Sequence, residues 1–424
     1  MLTINEVLEF SPAGGADFLA ALPSHPGVIL IEMADADALP YLAQTADIRR
    51  AAERLLRQPE GESKRLNLRD VAARIRYRAT GSKFERAVSY YQNARALFPQ
   101  KYRDRLKLRP PAVLKVNLRN SYPRCYVTRR IRDDEGFYFG PFPSRRAADA
   151  FNEGILDLFK IRRCQIKIRR DPSFPGCVYS EMKMCMAPCF AGCTKAEYDA
   201  DVAALVGGLD TRGVALLDPV ERDREAASEA LDFERAAALH KRAEKIKAAL
   251  RALPDVARRV DKLNAVILQR GAGEKRVIAF PMIAGILSEP IPLNFADLSE
   301  PKSVEAVLRQ ALEPNSEGPD AKVKTIKGEE SPSDGTSADL GDPEPKQEAS
   351  RDDESLREVY GLRAASAELS EHLWLVARWF YSKPREGEIL FREKDWPYRR
   401  VLRACARLLA PPTAVDPEKP AGTQ

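Results

Sequence analysis

Five of the chain's seven cysteines, Cys164, Cys177, Cys185, Cys189 and Cys193, fall within the run "RRCQIKIRRDPSFPGCVYSEMKMCMAPCFAGC". Thiols so close in sequence either pair as disulfides or hold something inorganic, and the redox compartment decides between the two. The opening "MLTINEVLEFSPAGG" lacks a charged start followed by a long apolar run, and no stretch reaches about eighteen uninterrupted apolar residues. The expectation is therefore a cytoplasmic protein without a membrane partner, its thiols reduced, and a metal or cluster site. The plainer alternative is that the cysteines are small buried hydrophobes.

A second chemistry is carried by charge. The net charge is only +6, yet Lys101–Arg170 holds nineteen Lys or Arg against seven Asp or Glu. Such a stretch is a candidate phosphate-binding surface. Arg129, Arg130, Arg145, Arg146, Arg162, Arg163, Lys167, Arg169 and Arg170 are its candidate DNA contacts. The bland alternative is a solvated face. Glu313–Glu354 reverses the balance, with thirteen acidic against five basic residues, and its Pro, Gly and Ser content predicts a disordered linker.

The elements that must position these residues read as a multidomain α+β chain, since 424 residues can bury more than one core. Residues 20–100 form a small α+β unit. It has strands at "GVILIEM" and "LPYLAQT", a helix capped by Asp47, a strand "RIRYRAT" and a helix "KFERAVSYYQNARALF" ended by Pro99. Residues 101–200 are the basic, Cys-rich region, with strands at "AVLKVNL" and "CYVTRRI", a Gly/Pro-punctuated loop "GFYFGPFP" and a helix "SRRAADAFNEGILDLFK". Residues 210–253 read as a helical hairpin bent at Leu231, Asp232 and Phe233. Its apolar face of Leu231, Phe233, Ala236 and Leu239 predicts a partner. A β-meander at 260–310, the acidic linker at 313–354 and a helical region at 355–412 complete the chain. Trp374, Trp379, Phe380 and Tyr381 are expected in a core.

Three segments, in this order, resemble the UvrC family, the nuclease subunit of the bacterial UvrABC nucleotide excision repair system. They are "FYFGPFPSRRAADAFNEGILDLFKIRRC", "FPGCVYSEMKMCMAPC" with its ending in Ala-Pro-Cys, and "SEALDFERAAALHKRAEKIKAAL", which is similar to the UVR helical hairpin. The resemblance implies a [4Fe-4S] cluster on Cys164, Cys177, Cys185 and Cys189, with zinc as the alternative and Cys193 as a surplus or substitute ligand. It implies DNA and a UvrB-like protein as partners, the latter through the hairpin. It also implies that residues 20–100 are a GIY-YIG nuclease domain, but an altered one. Ile29 stands at the first signature Tyr, Ala43 at the signature Gly, Ala51 at the helix Arg and Tyr90 at the metal-binding Glu, while Tyr41 is kept.

Without that carboxylate a magnesium-like ion lacks its hard oxygen ligand, so nuclease chemistry is expected to be lost. The RNase H-like second centre of the family is not expected in the remaining length either. The expected function is nucleotide excision repair by DNA and partner binding. Two alternatives stand beside it. One is an active Mg- or Mn-dependent nuclease on a shifted site of Tyr41, Arg49 or Arg50 and Glu85; the other is a regulatory adaptor that binds no DNA.

Overall fold

The computed structural model of the chain describes residues 2–11, 15–58, 65–134, 136–295, 301–313 and 366–410. The expected acidic linker, apart from Glu313, and the start of the expected C-terminal helix lie outside the described residues.

The first sheet is antiparallel, with strand order β1 (Glu6–Glu9), β4 (Ala72–Ala79), β2 (Gly27–Met33) and β3 (Tyr41–Thr45). Its central strand β2 begins with five consecutive buried residues because both faces are covered. Alternation along the strand sends Ile29 and Ile31 toward Ile48, Ala52 and Leu55 of α2 (Ile48–Leu56). Val28 and Leu30 face Phe84, Val88 and Tyr91 of α3 (Lys83–Leu97) instead. Asp47 caps α2 by accepting the Arg50 N–H at 2.9 Å, and Ser82 caps α3 by accepting the Glu85 N–H at 3.0 Å. Short α1 (Gly15–Ala20) precedes β2, and α4 (Tyr102–Leu106) follows α3.

The second sheet runs β6 (Cys125–Thr128), β5 (Ala112–Asn117), β7 (Gly136–Phe142) and β8 (Arg258–Arg259). The expected loop "GFYFGPFP" is the strand β7, a correction with a simple cause. Gly140 and Pro141 both lie opposite Val113, where the register shifts, and a bulge is where a sheet tolerates proline. A Cβ on Gly140 would stand 2.6 Å from Val113 Cγ1, so only glycine fits. Helices α5 (Arg145–Leu156) and α7 (Lys195–Asp210) cover this sheet, with the short α6 (Val178–Glu181) between them, and Phe142, Phe151, Ile155, Tyr198 and Leu205 fill the core. Helices α8 (Val214–Glu229) and α9 (Phe233–Leu250) form the expected hairpin.

The third sheet joins β9 (Ala265–Arg270), β10 (Arg276–Ile283), β11 (Ile286–Leu287) and β12 (Ile291–Asn294) to β13 (Glu388–Phe391). The meander and the C-terminal region are thus one sheet, covered by α10 (Pro301–Leu312), α11 (Ser366–Phe380) and α12 (Tyr398–Leu409). Trp379 is buried and Trp374 half-buried in a core that also takes Phe84 and Tyr91 from α3. Tyr381 donates from its hydroxyl to the Pro141 carbonyl at 2.8 Å, tying this core to the second sheet. A Cβ on Gly81 would meet the Gly271 backbone at 2.1 Å, so the turn before α3 and the β9–β10 turn touch through glycine. Among the described residues no helix is long and apolar enough to cross a membrane.

Candidate functional site

The cysteine segment is held by the second sheet's core. The hydroxyl of buried Tyr198 donates to the Pro123 carbonyl at 2.7 Å and accepts the Arg162 N–H at 3.1 Å. The Met186 N–H reaches the Lys160 carbonyl at 2.9 Å, and the Asp171 N–H reaches the Cys189 carbonyl at 2.8 Å, folding the loop back on itself. Lys183, Ala187 and Ala191 all have positive φ, at 55°, 54° and 63°. Three left-handed non-glycine residues in nine positions cost on the order of 1 kcal/mol each, a strain found mostly where a loop must hold a set geometry.

Cys164, Cys177 and Cys185 are half-buried and Cys189 is buried. Burial pushes Cys185 up to about 11, and Cys164, Cys189 and Cys177 are near enough to push it further. Backbone N–H groups oppose this. Ala187 N–H points at Cys185 Sγ at 3.3 Å and Phe190 N–H lowers Cys189, while Arg162 Nη1 lies 3.9 Å from Cys164 Sγ. N–H and guanidinium donors aimed at sulfur favour thiolate, the form that binds iron or zinc. Among the described residues, however, no three Cys, His, Asp or Glu side chains form a closed metal-holding group. The four thiols are electrostatic neighbours, not a finished cage. Cys193 is packed in the core of the second sheet, near enough to Cys189 for that thiol to add to the rise of its pKa that burial causes.

Two of the expected DNA contacts are corrected. Arg162 is only 5% exposed. It donates from Nε to the Tyr122 carbonyl and from Nη1 to the Ile166 carbonyl, each at 2.8 Å, so it builds the cysteine loop from within. Arg163 is mostly covered and bound to Asp157 at 2.7 Å. Arg129, Arg130, Arg145, Arg146, Lys167, Arg169 and Arg170 are exposed, with Arg145 lightly paired to Asp149 at 3.4 Å. Sequence reasoning missed the framework roles of Arg162 and Tyr198. The available signal was Tyr198 in register with Val202 and Leu205 on the apolar face of α7, where a buried hydroxyl must find a partner.

At the nuclease-like positions Ile29 is buried on β2 and Ala51 is buried on α2. Tyr90 is half-buried, its hydroxyl pushed up by burial, with Arg105 opposing and Tyr41 close enough to add to the rise. A phenol therefore stands at the position where a metal carboxylate was expected. The shifted site of Tyr41, Arg49 or Arg50 and Glu85 is not assembled. Glu85 is 4% exposed, accepts the Gly81 N–H at 2.8 Å and pairs with Arg78 at 3.7 Å. Burial raises its pKa, the Gly81 N–H and Arg78 only partly opposing. Arg49 donates from Nε to the Leu22 carbonyl at 2.8 Å and from Nη2 to the Ala20 carbonyl at 3.1 Å, while Arg50 is exposed. Among the described residues no hydrogen bond or ion pair joins Glu85 to Tyr41, Arg49 or Arg50.

The hairpin is anchored at its base and bare at its tip. Val220, Ala243 and Ile246 pack together there with Leu158, which also packs on the second sheet's core, and Lys245 Nζ donates to the Asp157 carbonyl at 3.0 Å. At the bend Leu231 adopts φ 59° and Asp232 caps α9 through the Arg235 N–H at 3.0 Å. Leu231 and Phe233 are 71% and 67% exposed, with Ala236 and Leu239 half-buried below them.

Residues 112–207 match the family described as UvrC/Cho excinuclease, middle domain, a span that runs from β5 through the cysteine loop into α7. The chain is 29% identical over 225 residues to UvrABC system protein C of Clostridium tetani, covering 52% of this chain and 36% of that protein. It is 30% identical over 227 residues to UvrABC system protein C of Idiomarina loihiensis, with the same two coverages. With that of Carboxydothermus hydrogenoformans it shares 35% over 118 residues, covering 28% of this chain and 19% of the relative. The matches thus span about a third or less of these relatives' length. No solved structure matches. Over residues 112–207 the chain thus matches the UvrC middle domain, and over about half its length it is similar to UvrABC system protein C of these organisms.

Proposed function

We propose that the chain serves nucleotide excision repair as a UvrC-like component that binds DNA and a UvrB-like protein but no longer cuts. The observation that carries this reading is the middle-domain match over 112–207, joined to a first sheet whose nuclease positions hold Ile29, Ala51 and Tyr90. We read residues 20–100 as a degenerate GIY-YIG unit. Its sheet has the order β4-β2-β3 with α2 and α3 on opposite faces. Phenols at Tyr41 and Tyr90 supply no hard anionic ligand for a divalent ion, and buried Glu85 is spent on the start of α3.

Each region then has a part. Lys167, Arg169 and Arg170, on the outer side of the cysteine loop, give phosphate contacts that hold DNA without reading its sequence. The tip of the α8–α9 hairpin, a UVR-type motif in this reading, offers Leu231 and Phe233 to a second helical hairpin. Cys164, Cys177, Cys185 and Cys189 form an all-sulfur donor set suited to a [4Fe-4S] cluster, with zinc as the other candidate. A bound cluster would cross-link the loop that presents the basic residues. Arg162 and the Ala187 N–H orient two of the sulfurs beforehand.

The test is anaerobic purification with iron and zinc analysis, alongside nicking assays on damaged duplex in magnesium or manganese and binding at several salt concentrations. About four irons per chain, salt-dependent DNA binding and no nicking are expected. Nicking that disappears in Glu85→Ala would instead restore an active nuclease, and partner binding with no affinity for DNA would favour an adaptor.

A further inference from the structure

The helix α12 (Tyr398–Leu409) carries four arginines and no acid. With about 3.6 residues per turn, Arg399, Arg400, Arg403 and Arg407 share one face, and all four are exposed. Val401, Ala404 and Cys405 turn the other way, into the core of the third sheet against Val266 and Leu268 of β9, so the arginine face is fixed outward. Arg407 is held by Glu388, its Nε donating at 2.9 Å. Among the described residues no hydrogen bond or ion pair engages the side chains of Arg399, Arg400 or Arg403. Elsewhere on the surface arginines are paired, as Arg74 is with Glu9, Arg76 with Glu32 and Arg95 with Glu368. Arg399 and Arg400 also lie in the first turn of α12, which has no acid and no side-chain cap. A helix start carries partial positive charge, so cations there oppose the dipole. The stability of α12 therefore does not explain the pair, and an anion from outside does.

The surroundings narrow which anion. The preceding turn, with Glu393 and Asp395 around Lys394, takes back one unit of charge, and Arg309 beside the Tyr398 ring is held by Glu305 at 2.8 Å. The apolar face of α12 is spent on the third sheet, so the helix has nothing to sink into a lipid surface. Surfaces for single strands alternate cations with aromatic platforms, but Trp396 and Tyr398 are 4% and 6% exposed and offer no face to a base. What is left is a row of cations without a stacking partner. At about 1.5 Å per residue, Arg399 to Arg407 span about 12 Å, a length over which one strand of a duplex, rising about 3.4 Å per phosphate, presents three or four charges. We propose that the arginine face of α12 is a second DNA surface, one that grips the phosphate backbone of intact duplex through Arg399, Arg400 and Arg403. It lies outside the matched middle domain and apart from the cysteine loop. The inference rests on the DNA-binding reading above and adds to it a place and a form of the nucleic acid.

Fluorescence anisotropy of the full chain with a labelled, undamaged duplex of about 20 base pairs, at several salt concentrations, tests it. The variants are Arg399→Ala, Arg400→Ala and Arg403→Ala combined, the same three positions changed to Lys, and Arg169→Ala. Circular dichroism and thermal melts establish that each folds, and the lysine variant, which keeps charge and bulk, carries the comparison if the alanine variant does not. In the alanine variant the slope of log affinity against log salt should become shallower by about two to three units, with affinity about tenfold or more weaker near 0.1 M salt. The lysine variant should keep the wild-type slope, since the contact is to charge. A folded alanine variant with the wild-type slope would overturn the proposal, and so would a lysine variant that loses the slope as the alanine variant does. A thymidylate single strand of equal length bound as tightly as the duplex would overturn it equally. If Arg169→Ala lowers the slope while the α12 variant leaves it unchanged, only this inference falls; a wild-type chain with no affinity for DNA removes the underlying reading as well.

Discussion

Acidification should weaken this fold through a single ring. Burial of His372 under α11 and β11 holds its pKa at about 4, against an ordinary 6.5, with Glu368 and Glu371 raising it and Arg95 lowering it. In the unfolded chain the same ring takes up a proton as pH falls below 6.5, while the folded chain resists until about 4. Between those values the unfolded state binds more protons, so stability rises with pH, and the contribution is fully present above 6.5 and fully lost below 4. At about 1.4 kcal/mol per pH unit, the loss from pH 6.5 to 4 is about 3 kcal/mol for this residue. Glu85 works the other way, since burial raises its pKa and acid relieves a buried charge. The clean quantity is therefore the difference between wild type and His372→Gln, which keeps an acceptor for the Leu287 N–H but does not titrate. Urea melts at half-unit steps from pH 4 to 7 should give a wild-type curve that falls about 3 kcal/mol more steeply than the variant's. Curves that run parallel within about 0.5 kcal/mol would show that His372 titrates alike in both states and refute the reasoning.

Four further outcomes follow from the same contacts. Arg162→Met removes two bonds to carbonyls inside the cysteine loop and should cost about 2 kcal/mol or more in a urea melt, with faster alkylation of Cys164. Phe233→Asp should leave the melting temperature within a degree or two, since the side chain is 67% exposed, yet weaken binding to a UvrB-like partner by roughly tenfold or more in calorimetry. Glu85→Gln keeps an acceptor for the Gly81 N–H and removes a buried charge, so stability at pH 7 should change by less than about 1 kcal/mol. Arg169→Ala should reduce the slope of log affinity against log salt by about one, whereas Arg162→Met should not change it.

Much of the architecture was legible because its signals are local. The Asp47 cap, the apolar run of β2, the alternation in β4, the end of α3 before Pro99 and the bend at Leu231–Phe233 depend on neighbours in sequence. The cysteine spacing marked its loop for the same reason. What sequence concealed was set by distant partners. The strand β7 was hidden because Gly140 and Pro141 look like a turn until Val113 is seen opposite them. The basic run named Arg162 and Arg163 alongside Arg169 and Arg170, since charge counts do not say which guanidinium is turned inward. Glu85 looked like a spare carboxylate, and only the Gly81–Gly271 contact shows it enclosed.

The shared core of α3 and α11 dictates a schedule for synthesis. Tyr91 donates its hydroxyl to Glu371 across a separation of 280 residues, and the Phe84 ring packs tilted against Trp379 at 5.2 Å. A ribosome adding about 5–20 residues per second delivers α11 on the order of tens of seconds after α3. Throughout that interval Tyr91 and Phe84 lack Glu371 and Trp379, and the core they share with α11 stays open on that side. The nascent chain should therefore depend on chaperone protection until synthesis reaches α11. A fragment that stops after the matched middle domain should collect in the insoluble fraction, so its inactivity would say nothing about the chemistry of the cysteines.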